Sequence, residues 1–336
     1  MNKILSISIA AYNAEHDLSR CLDSLVNTSV ASLLDIIVVN DGSKDKTFAL
    51  AKSYEEKYPD VIRVIDKENG GHGSTINASI PEALGKYYKI VDSDDWVDGK
   101  GLERLVHDLM ETEADLVLNP FHIIDAKSGE QKTEVYPYRD NAELNVICSS
   151  NDMENIVIEM HSTTYRTDVV KKMGSIIDEH CFYVDLEYTL FPLQYIKNYI
   201  CFDYPVYQYL LGTATQSMNR DSLIKRRAQH RKVVKRVISY YEKQKDRVSP
   251  GIRKIILRRV RLAMLNQYKI YLNMDSAESK KENMAFDRWV WNHSREVYEG
   301  PELRLMSIIR FHRKTGYRLY TALTALMKKL HLEPVL

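Results

Sequence analysis

The feature that most constrains the fold of this chain is an alternation, sustained to residue 92, of short β-branched apolar runs with segments whose apolar residues recur every three or four positions. That order predicts a mostly parallel α/β sheet covered by helices. Ile4 to Ala10 reads as a buried strand, and Leu18, Cys21, Leu22, Leu25 and Val26 follow at helical spacing. Asp35 to Val39 is the second strand. Asp41-Gly42-Ser43 then predicts a turn and helix cap, with a helix from about Lys44 to Tyr58 turning Leu50, Ala51 and Tyr54 inward. Val61 to Ile65 is the third strand. After Asn69 to Gly73 a helix should carry Ile76, Ile80, Ala83 and Leu84 on one face, and Tyr87 to Val91 is the fourth strand. The strand ends therefore present Tyr12 and Asn13, Asp41, and Asp92 to Asp95. Open parallel sheets bind ligands at the carboxyl ends of their strands, so these residues are expected to share a crevice.

The run Val91-Asp92-Ser93-Asp94-Asp95-Trp96 crowds carboxylates at such an end. A divalent cation relieves their repulsion, and hard oxygen ligands suit Mg²⁺ or Mn²⁺, which complete their shells with substrate phosphates. A nucleoside diphosphate is the ligand this chemistry points to; a solvated acidic turn is the bland alternative. The segment Asn69-Gly70-Gly71-His72-Gly73-Ser74-Thr75 precedes a helix N-terminus, where backbone amides and the helix dipole favour anions.

These segments resemble the successive signatures of family-2 glycosyltransferases. Ser8-Ile9-Ala10-Ala11-Tyr12-Asn13-Ala14-Glu15, Ile37 to Thr47, Asn69-Gly70-Gly71 and Asp92-Ser93-Asp94-Asp95-Trp96 occur in the family's order. The resemblance covers about residues 1 to 120, thins to about residue 220 and ends there. It implies a GT-A fold, a Rossmann-like mostly parallel sheet with flanking helices, together with a nucleotide-sugar donor, a metal-assisted diphosphate leaving group and inversion at the anomeric carbon. Donor contacts then fall on Ala10, Ala11, Tyr12, Asn13 and Glu15, on Asp41 as acceptor of the uracil imide hydrogen, and on Asn69, Gly70, Gly71 and His72. His72 departs from the small or apolar residues of the family there. Asp92 is the candidate for a ribose hydroxyl, with Ser93 beside it. Asp94 is the expected metal ligand, and Asp95 supports it or faces the donor sugar.

Further along, Phe182 to Leu190 resembles the acidic motif that opens a helix in the second half of the family's catalytic domain. The usual Glu-Asp pair is here Val184-Asp185, which places the general base on Asp185 and leaves Glu187 to orient or bind the acceptor. His161 is a further acceptor candidate, with a surface or core histidine as the bland alternative. Tyr204 to Tyr209 reads as a strand whose tyrosines are candidates for stacking on sugar rings, and it runs into a polar loop, Gly212 to Met218, similar to one that folds over the donor diphosphate. Gln216 and Ser217 are the hydrogen-bonding candidates there. Helix capping is the local alternative for Asp41 and Asp185.

With 336 residues, 44% of them hydrophobic, the chain exceeds the usual size of one domain. The expected division is a catalytic domain over residues 1–220 and a basic helical region over 221–336. A net charge of +1 gives no reason to invoke nucleic acid, and no recognition motif does either. Cys21, Cys148, Cys181 and Cys201 lack metal-ligand spacing, so the chain reads as cytosolic and reduced. Lys3 and the apolar run after it superficially resemble a secretory signal, but Glu15, Asp17 and Arg20 follow too soon. No stretch approaches the roughly 20 apolar residues of a membrane span. Beyond Asp221, Arg226, Arg227, Arg231, Lys232, Lys235 and Arg236, then Arg253, Lys254, Arg258, Arg259 and Arg261, are interleaved with Ile255, Ile256, Val260, Leu262 and Leu265, and a last helix is expected from about Leu303 to Leu330. Such helices suit an anionic membrane surface, and a packed bundle is the alternative. The expected function is transfer of a sugar from a UDP-sugar to a glycan or lipid-linked glycan in cell-surface polysaccharide synthesis, by a cytoplasmic, peripheral enzyme using Mn²⁺ or Mg²⁺. A catalytically silent accessory subunit would be free to lose Asp41, Asp92, Asp94 or Asp185. A nucleotidyltransferase would open with a glycine-rich, arginine-bearing loop, and Ala10-Ala11-Tyr12-Asn13 is not one.

Overall fold

A computed structural model describes residues 3–139, 142–212, 220–274, 276–300, 304–322 and 325 of the chain. Two compact units result, residues 1–214 with 249–252, and residues 215–248 with 253–336. In the first, β1 (Leu5–Ala11), β2 (Leu34–Asp41), β3 (Ile62–Lys67), β4 (Tyr87–Asp92), β5 (Trp96–Val97), β6 (Leu116–Leu118), β7 (Phe121–Asp125), β8 (Gln131–Val135), β9 (Cys148–Ser149), β10 (Thr163–Arg166), β11 (Asn198–Cys201) and β12 (Tyr207–Leu211) build two sheets. The eight-stranded sheet runs β3-β2-β1-β4-β10-β6-β11-β9, its first four strands parallel. β10 enters antiparallel to both β4 and β6. The second sheet runs β5-β12-β7-β8.

Every residue of β2 is buried, as expected for a parallel strand covered on both faces. Leu5, Ile7 and Ile9 share one core with Leu18, Leu22 and Leu25 of α1 (Leu18–Val26) and with Leu102, Leu105 and Leu109 of a later helix, Gly99–Glu111. Burying each such side chain contributes roughly 1.5–3 kcal/mol, enough to fix which face of the sheet is inside. The register sets Ala10 between Val39 and Asp92, so β1, β2 and β4 end along one edge.

Two helix boundaries differ from the sequence expectation. α2 spans Thr47–Lys57 rather than starting at Lys44; its N-cap is Lys46, without a side-chain cap, and not Asp41 but Asp45 ties its first residue. The Asp45 carboxylate accepts from the Thr47 N–H at 3.0 Å and the Thr47 hydroxyl at 2.6 Å. α3 (His72–Glu82) stops before Ala83 and Leu84. The Leu84 N–H is captured by Ser6 Oγ and Asp35 Oδ2, both at 3.0 Å, which leaves the Leu84 side chain 62% exposed. α4 (Gly99–Glu111), α5 (Thr167–Met173) and α6 (Asp185–Leu190) complete the first unit's helices among the described residues.

The second unit is helical: α7 (Arg220–Lys225), α8 (Arg227–Gln244), α9 (Pro250–Asn273, its opening residues to Ile252 in the first unit), α10 (Ser276–His293), α11 (Arg295–Glu299) and α12 (Arg304–Lys314). Much of its basic charge is spent internally. Arg227 reaches Glu278 and Glu282, Arg231 reaches Glu282, Arg253 reaches Glu296, and Arg313 meets the buried Asp287. Ile255, Ile256, Val260 and Leu265 are buried, whereas Leu262, Phe311 and Leu319 are exposed. α12 ends at Lys314, residues 320–322 are helical again, and the rest of the helix expected to about residue 330 lies mostly outside the described residues. Gly316 and Tyr317 both adopt φ +60°, and the Tyr317 N–H returns to the His312 carbonyl at 2.7 Å, a left-handed helix stop. Among the described residues no helix is long and apolar enough to cross a membrane.

Candidate active site

The acidic turn closes the β4 end and is held from the second sheet. The Tyr207 hydroxyl donates to Asp95 Oδ2 at 2.6 Å and accepts from the Asp92 N–H at 3.1 Å, while the Leu210 N–H donates to the other Asp95 oxygen at 2.7 Å. Asp95 is thus buried and fixed, and burial pushes its carboxyl well above the usual carboxylate range. Burial also raises Asp92, opposed by His72, whose Nε2 lies 3.6 Å from Asp92 Oδ1, and reinforced by the charge of Asp185. Asp94 is pushed up to about 6 by burial and by Asp92. Its backbone carbonyl accepts from Arg20 at 2.6 Å, and the Arg20 guanidinium lies 4.5 Å over the Trp96 ring. Carboxylates raised together in this way favour a cation among them.

The residues whose ligand atoms converge are Asp92, Asp95 and His161, all within 4.8 Å of one another. His161 stacks on Tyr209 at 4.3 Å and meets Tyr207 edge-on, and its Nδ1 is buried with no hydrogen-bond partner. Burial, with Lys89 beside it, holds the imidazole down to about 3, so it is a neutral ligand-competent ring. An oxygen-rich set with one orphaned imidazole nitrogen suits Mn²⁺ or Mg²⁺. Asp94, the ligand expected from the sequence, stands beside this convergence rather than in it. His161 joins the acidic turn, where the sequence had pointed it at an acceptor.

Asp41 is 3% exposed, and its carboxylate is already well supplied with donors. Oδ1 accepts from Lys67 at 3.0 Å, the Gly70 N–H at 2.9 Å and Ser74 at 3.1 Å, and Oδ2 accepts from the Gly71 N–H at 2.8 Å. Asn69 Nδ2 donates to the Asp41 carbonyl at 2.9 Å. The glycine amides expected to meet a phosphate are therefore spent on Asp41, because a buried carboxylate must be satisfied first. Asn13 and Glu15 are likewise engaged by the chain itself, as Asn13 Oδ1 accepts from the Lys44 N–H at 2.8 Å and Glu15 from the Lys46 N–H at 3.0 Å. These bonds join the segments that follow β1 and β2. Ala10 and Ala11 offer only backbone and small side chains, and Tyr12, 52% exposed, remains open for a base.

Asp185 opens α6 at the end of a loop clamped to α3. Asn77 donates to the Ile177 carbonyl and to Glu179, both at 2.9 Å, and accepts from the Ile177 N–H at 3.1 Å. Gly73 has the Asp178 carbonyl 2.0 Å from where a Cβ would stand, so only glycine permits this approach. Glu187 is fully buried, with Oε2 accepting from the Asp178 N–H at 2.8 Å. That corrects its expected acceptor contact: a carboxylate with no exposed surface cannot touch a glycan, and this one holds the loop. Of the tyrosines expected to stack on sugar rings, Tyr204 and Tyr207 are buried, while Tyr209 is half-buried against His161. Gln216 and Ser217 lie outside the described residues.

The family model of glycosyl transferase family 2 matches residues 6–174, half of the chain. The chain belongs to glycosyl transferase family 2. Among its relatives, the uncharacterized glycosyltransferase EpsJ of Bacillus subtilis is 29% identical over 188 residues, 53% of this chain and 52% of EpsJ. The poly(ribitol-phosphate) beta-glucosyltransferase of Bacillus spizizenii is 36% identical over 126 residues, 37% of this chain and 20% of that protein. The chain thus spans about half the length of EpsJ, and less of the other relative. Residues 1–349 of S. aureus TarS superpose with a TM-score of 0.67 at 16% identity, covering 97% of this chain and 91% of that one. The complex of the same TarS fragment with UDP-GlcNAc gives 0.66 at 15%, covering 97% and 92%. These likenesses show the fold, the GT-A arrangement expected of the family. Sequence reasoning missed Lys89, Arg20, Asn77 and the role of Tyr207; of these only Lys89, a lone charge inside an apolar strand, left a signal.

Proposed function

We propose that this chain is an inverting glycosyltransferase that moves a sugar from a UDP-sugar to a hydroxyl of a glycan or lipid-linked glycan, in cell-surface polysaccharide synthesis at the cytoplasmic side of the membrane. The observation that carries the reading is the meeting of Asp92, Asp95 and His161 at the end of β4, with the charge of Asp185 felt at Asp92 from the start of α6. The UDP-GlcNAc and UDP complexes of TarS support a uridine donor. The names of the relatives support a polysaccharide or teichoic-acid type of acceptor.

In this reading Tyr12 covers the base and Asp41 sets the turn around it, using its remaining acceptor direction for the uracil imide. Asp92, Asp95 and His161, with Asp94 beside them, would hold Mn²⁺ or Mg²⁺, and the bound ion would supply Lewis-acid stabilisation of charge on the leaving diphosphate. His72 at the start of α3 donates towards the same phosphates or the donor sugar. Asp185 accepts the proton of the acceptor hydroxyl as its oxygen attacks the anomeric carbon, opposite the leaving group, and the configuration inverts. Screening UDP-sugars for Mn²⁺-dependent hydrolysis and transfer tests this. Failure of every UDP-sugar to bind or hydrolyse would favour a catalytically silent accessory protein.

A further inference from the structure

Lys89 lies in the middle of β4, 1% exposed, with its Nζ inside the protein, where burial holds it down to about 7. It faces backbone oxygens: Nζ donates to the carbonyl of His161 at 2.8 Å and to that of Thr163 at 3.1 Å, and it sits 5.7 Å from the centre of the Tyr207 ring. Burying such a group without a carboxylate beside it is costly, and a hydrophobic residue in the same strand would avoid that cost. The expense needs an offset, and the two acceptors identify it. Both belong to the segment Met160–Arg166, in which a turn carrying His161 leads into β10, and that segment brings the imidazole to Asp92 and Asp95. The ring's Nδ1 is buried with no hydrogen-bond partner, and the ring packs against Tyr209 and Tyr207.

The geometry points to Lys89 as a positioning residue that fixes the His161 backbone, and through it the imidazole, as the nitrogen ligand of a divalent cation. This rests on the cation reading of the acidic turn. Metal sites ordinarily place an outer partner on the ring of a ligating histidine, and removing such partners weakens metal binding about tenfold to a hundredfold; Lys89 acts instead on the main chain that carries the ring. A purely electrostatic role has the opposite sign. Deleting a positive charge behind a cluster of carboxylates would tighten cation binding or leave it unchanged.

The test is a titration of the full chain with Mn²⁺ alone, free Mn²⁺ being read by electron paramagnetic resonance. Lys89→Met, near in shape, is expected to weaken Mn²⁺ binding about tenfold or more. Lys89→Gln, which keeps an N–H donor, should fall between it and the unmodified chain and serves if Lys89→Met does not fold. His161→Phe should also lose affinity, and adding Lys89→Met to it should cost nothing further, because coupled residues are not additive. Unchanged or tighter Mn²⁺ binding in Lys89→Met, or full additivity in the double variant, overturns the proposal. If His161→Phe itself binds Mn²⁺ normally, the cation reading of His161 is what fails.

Discussion

Replacing Gly73 with alanine sets two effects of opposite sign against each other. Gly73 lies in the first turn of α3, and helix propensity alone favours alanine by about 1 kcal/mol. The added Cβ, however, would stand 2.0 Å from the Asp178 carbonyl oxygen, 2.9 Å from Ile177 Cγ2 and 3.0 Å from the Asp178 carbonyl carbon. Reaching even 3.0 Å from the oxygen requires a retreat of about 1 Å, and the obstacle is backbone, not a flexible side-chain end. Overpacking of this kind costs about 1–3 kcal/mol, so the clash should outweigh the propensity gain. The displaced loop is the one that ends at Asp185, and a misplacement near 1 Å can cost about a hundredfold in rate. We expect Gly73→Ala to lower the melting temperature and to reduce transfer about a hundredfold, with UDP affinity falling far less. Calorimetry and a coupled UDP-release assay read both. A variant more stable than the parent with normal turnover would refute the reasoning, since propensity would then have won and the loop would not position the base.

Asp185→Asn should leave folding and UDP affinity intact while turnover falls about a hundredfold to ten-thousandfold, the usual contribution of a general base; unchanged turnover would move the base elsewhere. Glu187→Leu, which removes the acceptor of the Asp178 N–H, should instead lower stability by about 1–3 kcal/mol, seen as a shift in the denaturant midpoint, and a stability equal to the parent's would show that bond to be idle. UDP should bind roughly tenfold to a hundredfold better than CDP, because a carboxylate accepts from the uracil imide and faces an unprotonated ring nitrogen in cytosine; equal affinities by calorimetry would remove Asp41 from base recognition. If the exposed Leu262, Phe311 and Leu319 among basic neighbours touch lipid, the chain should sediment with anionic vesicles and be released by salt, and indifference to anionic and neutral vesicles alike would leave the packed bundle.

The donor half was legible because its signals are local. The apolar periodicity of α1 and of the first four strands survives in the sequence at high contrast, and register follows once the hydrophobic faces are matched. The acidic turn was equally plain. What could not be read depends on pairings far apart in the chain. Asn77 clamps residues about a hundred positions later, β5 is too short to show alternation, and β12 pairs with it across more than a hundred residues. The fate of a carboxylate is also a tertiary matter: Asp41, Asp95, Asp185 and Glu187 look alike in sequence, yet one ties a loop, one is pinned under a tyrosine, one begins a helix and one is wholly enclosed.

Asp95 is grasped in two different ways, by the hydroxyl of Tyr207 and by the main-chain N–H of Leu210. A main-chain donor is indifferent to which side chain it carries, so half of the grip on the acidic turn is immune to mutation short of proline. The strand that supplies it can therefore change residue 210 without releasing this bond, whereas its neighbour Gln208 is buried and bonded to His122. In a saturation library across Tyr207 to Leu211, position 210 should accept nearly every residue but proline, whereas position 207 should accept almost none. Such a latch lets one half of an enzyme be rewritten without loosening the other.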